Sequence, residues 1–294
     1  MTGVVVPLDG SRPAEQALDL ALPVSHALGA RLLLLRVVPR MEIAWPVGRP
    51  AREQQIAEAE HTEAHRYVAR LAGLLRARDV DAGIDVRFGD PAEEIVTASR
   101  GAAMVVMTTH GRGGLQRFLV GSVADRAARH ALCPVLLVRP AEETLASRAL
   151  RRIAVALDGS RLAETALPVS VDLATRLDAT LVLVRVVPAA ERLVLGRVGR
   201  QVIEELGGAL VVDAKGYLEG VAATVSGARV ETQVRRGSAA EQLLRLGGPG
   251  GVDLMVLATH GRGGIRRWAL GSVALRVVHE SAAPVLVVPA GARE

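Results

Sequence analysis

One feature limits this chain more than any other: it says almost everything twice. Val5-Val6-Pro7-Leu8-Asp9-Gly10-Ser11-Arg12 returns as Ala154-Val155-Ala156-Leu157-Asp158-Gly159-Ser160-Arg161. Leu34-Leu35-Arg36-Val37-Val38-Pro39 returns as Leu183-Val184-Arg185-Val186-Val187-Pro188. Thr109 to Gly114 matches Thr259 to Gly264, Gly121 to Ala124 matches Gly271 to Ala274, and Pro134 to Leu136 matches Pro284 to Leu286. The offset is 149 at the first two landmarks and 150 at the other three. A near-constant offset over so many landmarks means two copies of one fold. The boundaries expected are 1–140 for the first domain, 141–150 for a short polar tether and 151–289 for the second domain.

Within each copy, short apolar runs alternate with longer Ala/Leu-rich stretches. Val4 to Leu8, Arg31 to Val38, Asp85 to Phe88, Met104 to Thr108 and Val135 to Val138 read as strands. Ser11, with Pro13 close behind, opens a helix. A long helix is expected over Arg52 to Arg76, another from Asp90-Pro91 to Arg100, and a last one over Ser122 to Ala131. Strand and helix alternating in this way give an α/β fold: a parallel sheet with helices on both faces. Such sheets bind ligands beyond the carboxyl ends of their strands.

Composition narrows the function classes. Aromatic residues make up 2% of the chain, so the cores are aliphatic. The formal charge is +5 and Lys215 is the only lysine, but the arginines are scattered rather than gathered into basic runs. With few aromatic platforms as well, nucleic acid is not the expected partner. Cys133 is the only cysteine, so no intrachain disulfide can form. No leader or membrane-length apolar run is visible, and a cytoplasmic location is expected.

The residues just after the strands are the candidates for chemistry. Gly111 and Gly121 enclose nine residues and lead straight into Ser122 at a helix start. Glycines admit a phosphate close to the backbone, and free helix amides hold it. Arg112 and Arg117 add positive charge. The competing reading has the glycines making turns, with Ser122 as N-cap and Asp125 completing a capping box. Asp9 suits ribose hydroxyls or an adenine amine, yet Asp-Gly-Ser is also ordinary turn chemistry. His110 and His260 lack partners at metal or catalytic spacing and read as loop histidines. No P-loop or classical dinucleotide fingerprint is present.

These motifs together, closing with Cys133-Pro134-Val135-Leu136-Leu137-Val138, resemble the universal stress protein family in both copies. The resemblance implies two tandem Rossmann-like domains, each with a five-stranded parallel sheet in the order 3-2-1-4-5. It implies a stress-response regulator or sensor that binds ATP with Mg2+. No general base or metal-carboxylate cluster is apparent in the sequence, so an enzyme is not expected, with slow ATP hydrolysis as a further alternative. In the nucleotide-binding branch the motif is Gly-x2-Gly-x9-Gly-Ser/Thr. Its first glycine is here Thr108 in one copy and Ala258 in the other. The nucleotide-binding residues so implied are Pro7, Asp9, Val37, Met107, Thr108, Gly111, Arg112, Gly121, Ser122 and Val123 in the first copy. In the second they are Asp158, Val186, Leu257, Ala258, Gly261, Arg262, Gly271, Ser272 and Val273. The resemblance also implies pairing through the fifth strands, giving a pseudo-dimer within the chain; association into a homodimer stays open. The alternative is a universal stress protein that binds no nucleotide and works as a dimerising interaction module.

Overall fold

Short aliphatic runs, buried in the central strands and more exposed in the third strand of each unit, build the sheets of the computed structural model, which describes residues 3–39, 50–110, 120–140, 149–189, 200–259 and 270–289. The chain divides into two compact units, Met1–Ala146 and Ser147–Glu294.

In unit 1 the order is β1 (Val4–Pro7), α1 (Arg12–Glu15), α2 (Leu18–Leu28), β2 (Leu32–Val38), α3 (Pro50–Arg76), β3 (Ala82–Phe88), α4 (Pro91–Ala98), β4 (Met104–Thr108), α5 (Ser122–His130) and β5 (Val135–Val138). All pairings within this unit are parallel, in the order β3-β2-β1-β4-β5. Val4, Val5 and Val6 and all of β4 are buried, as strands covered on both faces must be. Helix α3 lies on β2 and β3, while α4 and α5 pack together. The single helix expected after Ser11 is broken at Gln16–Ala17 into α1 and α2. Ser11 caps α1 as expected, accepting from the Ala14 amide at 3.3 Å. Asp90 likewise caps α4, taking the Glu93 amide at 3.0 Å.

Unit 2 repeats the plan: β6 (Arg152–Ala156), α6 (Arg161–Glu164), α7 (Leu167–Arg176), β7 (Thr180–Val187), α8 (Arg200–Thr224), β8 (Arg229–Arg236), α9 (Ala239–Leu246), β9 (Leu254–Ala258), α10 (Ser272–Glu280) and β10 (Val285–Val288). Its parallel order is β8-β7-β6-β9-β10. Asp253, where unit 1 has Ala103, accepts the Arg151 and Arg152 amides at 2.9 Å each and secures the entry to β6.

Register sets the height of the site. Pro7 pairs with Leu35, and Val4 with both Leu32 and Met104. Following those rows upward puts Pro7, Leu35 and Met107 level, with Asp9, Val37 and Thr108–His110 just beyond. The carboxyl ends of β1, β2 and β4 therefore open at one edge.

Candidate functional site

At that edge the first turn is built by Asp9. Its Oδ1 accepts the Ser11 amide at 2.9 Å and the Ser11 hydroxyl as well. Gly10, between them, sits at φ 84°, a left-handed conformation that glycine adopts without strain. Asp158, Gly159 (φ 85°) and Ser160 repeat the device in unit 2. The turn reading of these aspartates is thus realised in each unit.

The second wall is the start of α5. The capping box is not formed: Gly121 is the N-cap, in extended backbone, and makes no side-chain cap bond. Ser122 is the first helical residue, and Asp125 turns instead to Arg129, at 2.9 Å and 3.0 Å. No side chain therefore occupies the amides of the first turn through the N-cap. Gly271 and Ser272 begin α10 the same way.

The helix start is tied to the sheet by backbone alone. The Gly121 amide donates to the Thr109 carbonyl at 2.7 Å, and the Thr109 amide donates to the Val138 carbonyl at 2.9 Å. Gly271, Thr259 and Val288 repeat the relay at 2.8 Å and 2.9 Å. A Cβ on Gly121 would lie 3.2 Å from the Thr109 oxygen, against 3.7 Å for Gly271 and Thr259. The contact is tight at Gly121 and ordinary at Gly271.

Thr108 holds the place of the motif's first glycine. It is buried, and its hydroxyl donates to the His110 carbonyl at 2.8 Å. The His110 Nδ1 lies 2.9 Å from the Thr109 hydroxyl. Val37 is buried at the end of β2, with its carbonyl accepting from Arg36 Nη1 at 2.9 Å. A carbonyl has a second lone pair, so this bond leaves it able to accept another. Pro7 and Ala156 are half-buried at the ends of β1 and β6, while Met107, Leu257 and Ala258 line the strand ends as buried residues. Val123 and Val273 are half-buried in the first turns of α5 and α10, and Val186 is half-buried at the end of β7. Gly111, Arg112, Gly261 and Arg262 lie outside the described residues, as do Arg117, His260 and the segment 40–49.

Sequence reasoning missed one pair. Tyr67 of α3 donates to Glu15 of α1 at 3.0 Å, and Tyr217 of α8 donates to Glu164 of α6 at 2.8 Å. These are the only two tyrosines in the chain, and they stand one repeat apart. That spacing was the available signal. Arg185 stacks over Tyr217, 4.8 Å from the ring centroid, and pairs with Asp213 at 3.2 Å. Burial, and then the carboxylate partner, push both phenols above their ordinary value of 10.0. Because the folded value is the raised one, the stability it brings is present below pH 10 and drains away as pH rises further. Alkaline titration of tyrosinate absorbance is therefore expected to show almost no ionised tyrosine in the native chain where the unfolded chain is already titrating. A native curve overlaying the unfolded one would contradict the two hydrogen bonds.

Comparison with known proteins follows the same division of the chain. The sequence profile described as "Universal stress protein family" matches residues 1–139 and again 149–289. The chain belongs to the universal stress protein family. A universal stress protein of Mycolicibacterium smegmatis is 28% identical over 292 residues, covering 97% of this chain and 96% of its own. One from Mycobacterium tuberculosis is 29% identical over 301 residues with the same coverage. Among solved structures, a universal stress protein from Archaeoglobus fulgidus superposes with a TM-score of 0.71 at 19% identity, covering 98% of both chains. That likeness supports the fold: two Rossmann-like domains in tandem. Among the described residues no helix is long and apolar enough to cross a membrane, and no cluster of His, Cys, Asp or Glu suits a metal ion.

Proposed function

We propose that this universal stress protein binds ATP, as its Mg2+ complex, at one site in each unit, and acts as a cytoplasmic sensor or regulator and not as an enzyme. The observation that carries the reading is the pair of glycine-started helices, α5 and α10. Each begins at the carboxyl edge of its sheet with no side-chain cap, and each is fastened by a backbone bond to a buried threonine. Amides in a helix's first turn favour negative charge through both hydrogen bonding and the helix dipole.

Ser122 and Ser272 are exposed, and each adds a hydroxyl beside those amides. Asp9 and Asp158 stand across the edge, where carboxylates accept from ribose hydroxyls. Val37 and Val186 offer backbone groups for the adenine edge, with Pro7, Met107 and Thr108, or Leu257 and Ala258, at the strand ends beneath. Val123 and Val273 extend the amide turn. The family motif assigns Gly111, Arg112, Gly261 and Arg262 to the same sites. The triphosphate would lie at the helix start and the base at the end of the second strand. In the same reading the units pair through their fifth strands, which would cover two apolar edges.

Calorimetry with Mg-ATP on the full chain tests this. Micromolar binding, about −8 kcal/mol, with up to two sites per chain is expected. No heat, together with no nucleotide carried through purification, would favour the nucleotide-free interaction module.

A further inference from the structure

The two units differ sharply at one matched corner, where the third strand meets the next helix. The Gly89 amide donates to the Val38 carbonyl at 3.1 Å, and the Gly237 amide donates to the Val187 carbonyl at 2.9 Å, which fixes the correspondence. Arg87 and Arg235 are likewise the register partners of Val37 and Val186.

In unit 1 the corner is neutralised from within. Arg87 pairs with Asp85 at 2.7 Å and with Glu94 at 3.4 Å. Asp90 caps α4 and takes Arg126 at 3.0 Å. Unit 2 keeps the arginine and loses all three carboxylates. Gln233 stands for Asp85, Ser238 for Asp90 and Gln242 for Glu94, while Phe88 becomes Arg236. Position 236 lies on the other face of the strand, where Phe88 stacks on His61 of α3; over the other four positions the formal charge goes from −2 to +1.

The remaining guanidinium is poorly served. Arg235 has one long bond, from Nη2 to the Gln233 amide oxygen at 3.4 Å. Its Nε is buried with no hydrogen-bond partner. Among the described residues no carboxylate pairs with it. Ser238 begins α9 without making a cap bond, so its hydroxyl and the first-turn amides add donors at the same corner. Glu241, one turn in, is drawn toward Arg276 at 4.0 Å. A half-buried charge that has lost its counter-ions while keeping its place calls for an anion from outside.

We propose that this corner of unit 2 binds a small phosphate dianion through Arg235, the Ser238 hydroxyl and the first-turn amides of α9, and that unit 1 has no such site. Several donors of different geometry suit a tetrahedral group with several acceptor oxygens. The site adjoins Val186, the adenine end of the proposed nucleotide pocket.

The test uses the full chain, nitrogen-15 labelled and nucleotide-free, titrated with sodium phosphate, with sodium chloride at matched ionic strength as control. The Nε–Hε resonance of Arg235 is expected to move saturably with phosphate, and that of Arg87 to stay. In Gln233→Asp/Gln242→Glu, which restores unit 1's carboxylates, the affinity is expected to fall roughly tenfold or more. This variant is expected to stay folded, because it rebuilds an arrangement unit 1 already has. The proposal is overturned if Arg235 does not respond, if chloride moves it equally, or if the variant responds unchanged. A phosphate ion held by the ATP pocket would instead move the Ser272 and Val273 amides, so the two sites are read separately.

Discussion

Replacing Gly121 and Gly271 together with valine is expected to abolish ATP binding, weakening it by roughly a hundredfold or more. Contacts to a charged group contribute about 1.5–3 kcal/mol each, and both helix starts would lose several. In both units a branched side chain would crowd the space where phosphate is proposed to approach the backbone, and in unit 1 displacement adds to this. A Cβ at position 121 sits 3.2 Å from the Thr109 oxygen, and a branched side chain forces the helix start away from that carbonyl. Stability should fall too, by about 1–3 kcal/mol per unit, as for other overpacked sites. The milder alanine variants separate the units. Gly121→Ala meets the 3.2 Å contact while Gly271→Ala meets only 3.7 Å, so the first should impair its site more. Calorimetry on the single variants reads this as loss of one class of site before the other. Equal, near-native binding in the double valine variant would show that the helix starts do not hold the ligand.

The largest effect on stability is expected from Leu34→Ala. Leu34 is fully buried in the middle of β2, between β1 and β3 in the sheet. Deleting its isobutyl group loses transfer energy and leaves a cavity the sheet cannot close, at a cost of about 2–5 kcal/mol. Domain stabilities run to about 5–15 kcal/mol, so unit 1 would lose a large share. Denaturant unfolding should show an early transition absent from the parent chain. Its matched residue, Leu183, is also fully buried, and Leu183→Ala should act on unit 2 in the same way. A midpoint unchanged in either variant would mean that these leucines do not sit in a closed core.

Much of the fold was written locally. Met104–Thr108 and Val135–Val138 are unbroken apolar runs between turn signals, and their bounds as strands were readable outright. Strand β3 was read too short, because Ala82-Gly83 has no strand signature of its own. Its first residues are extended by pairing with Leu32 and Leu33, a partner about fifty residues away. The break between α1 and α2 was hidden because Ala, Leu and Gln suit a continuous helix.

The site was legible in its motifs and misread in its mechanics. Ser122 followed by Asp125 has the spacing of a capping box, but the cap depends on where the backbone turns. It turns one residue earlier, at Gly121. The tyrosine pairs bridge 52 and 53 residues, which no local pattern encodes; only the repeat spacing marks them. The contrast between Arg87 and Arg235 needed the register as well, since the offset at that corner slips to 148.

Mapping the ligand contact decides the account most directly. With Mg-ATP added to the labelled chain, the amides of Ser122 and Val123, and of Ser272 and Val273, should show the largest shifts and saturate with the calorimetric affinity. Saturating shifts confined to other surfaces, with those four amides unmoved, would contradict it.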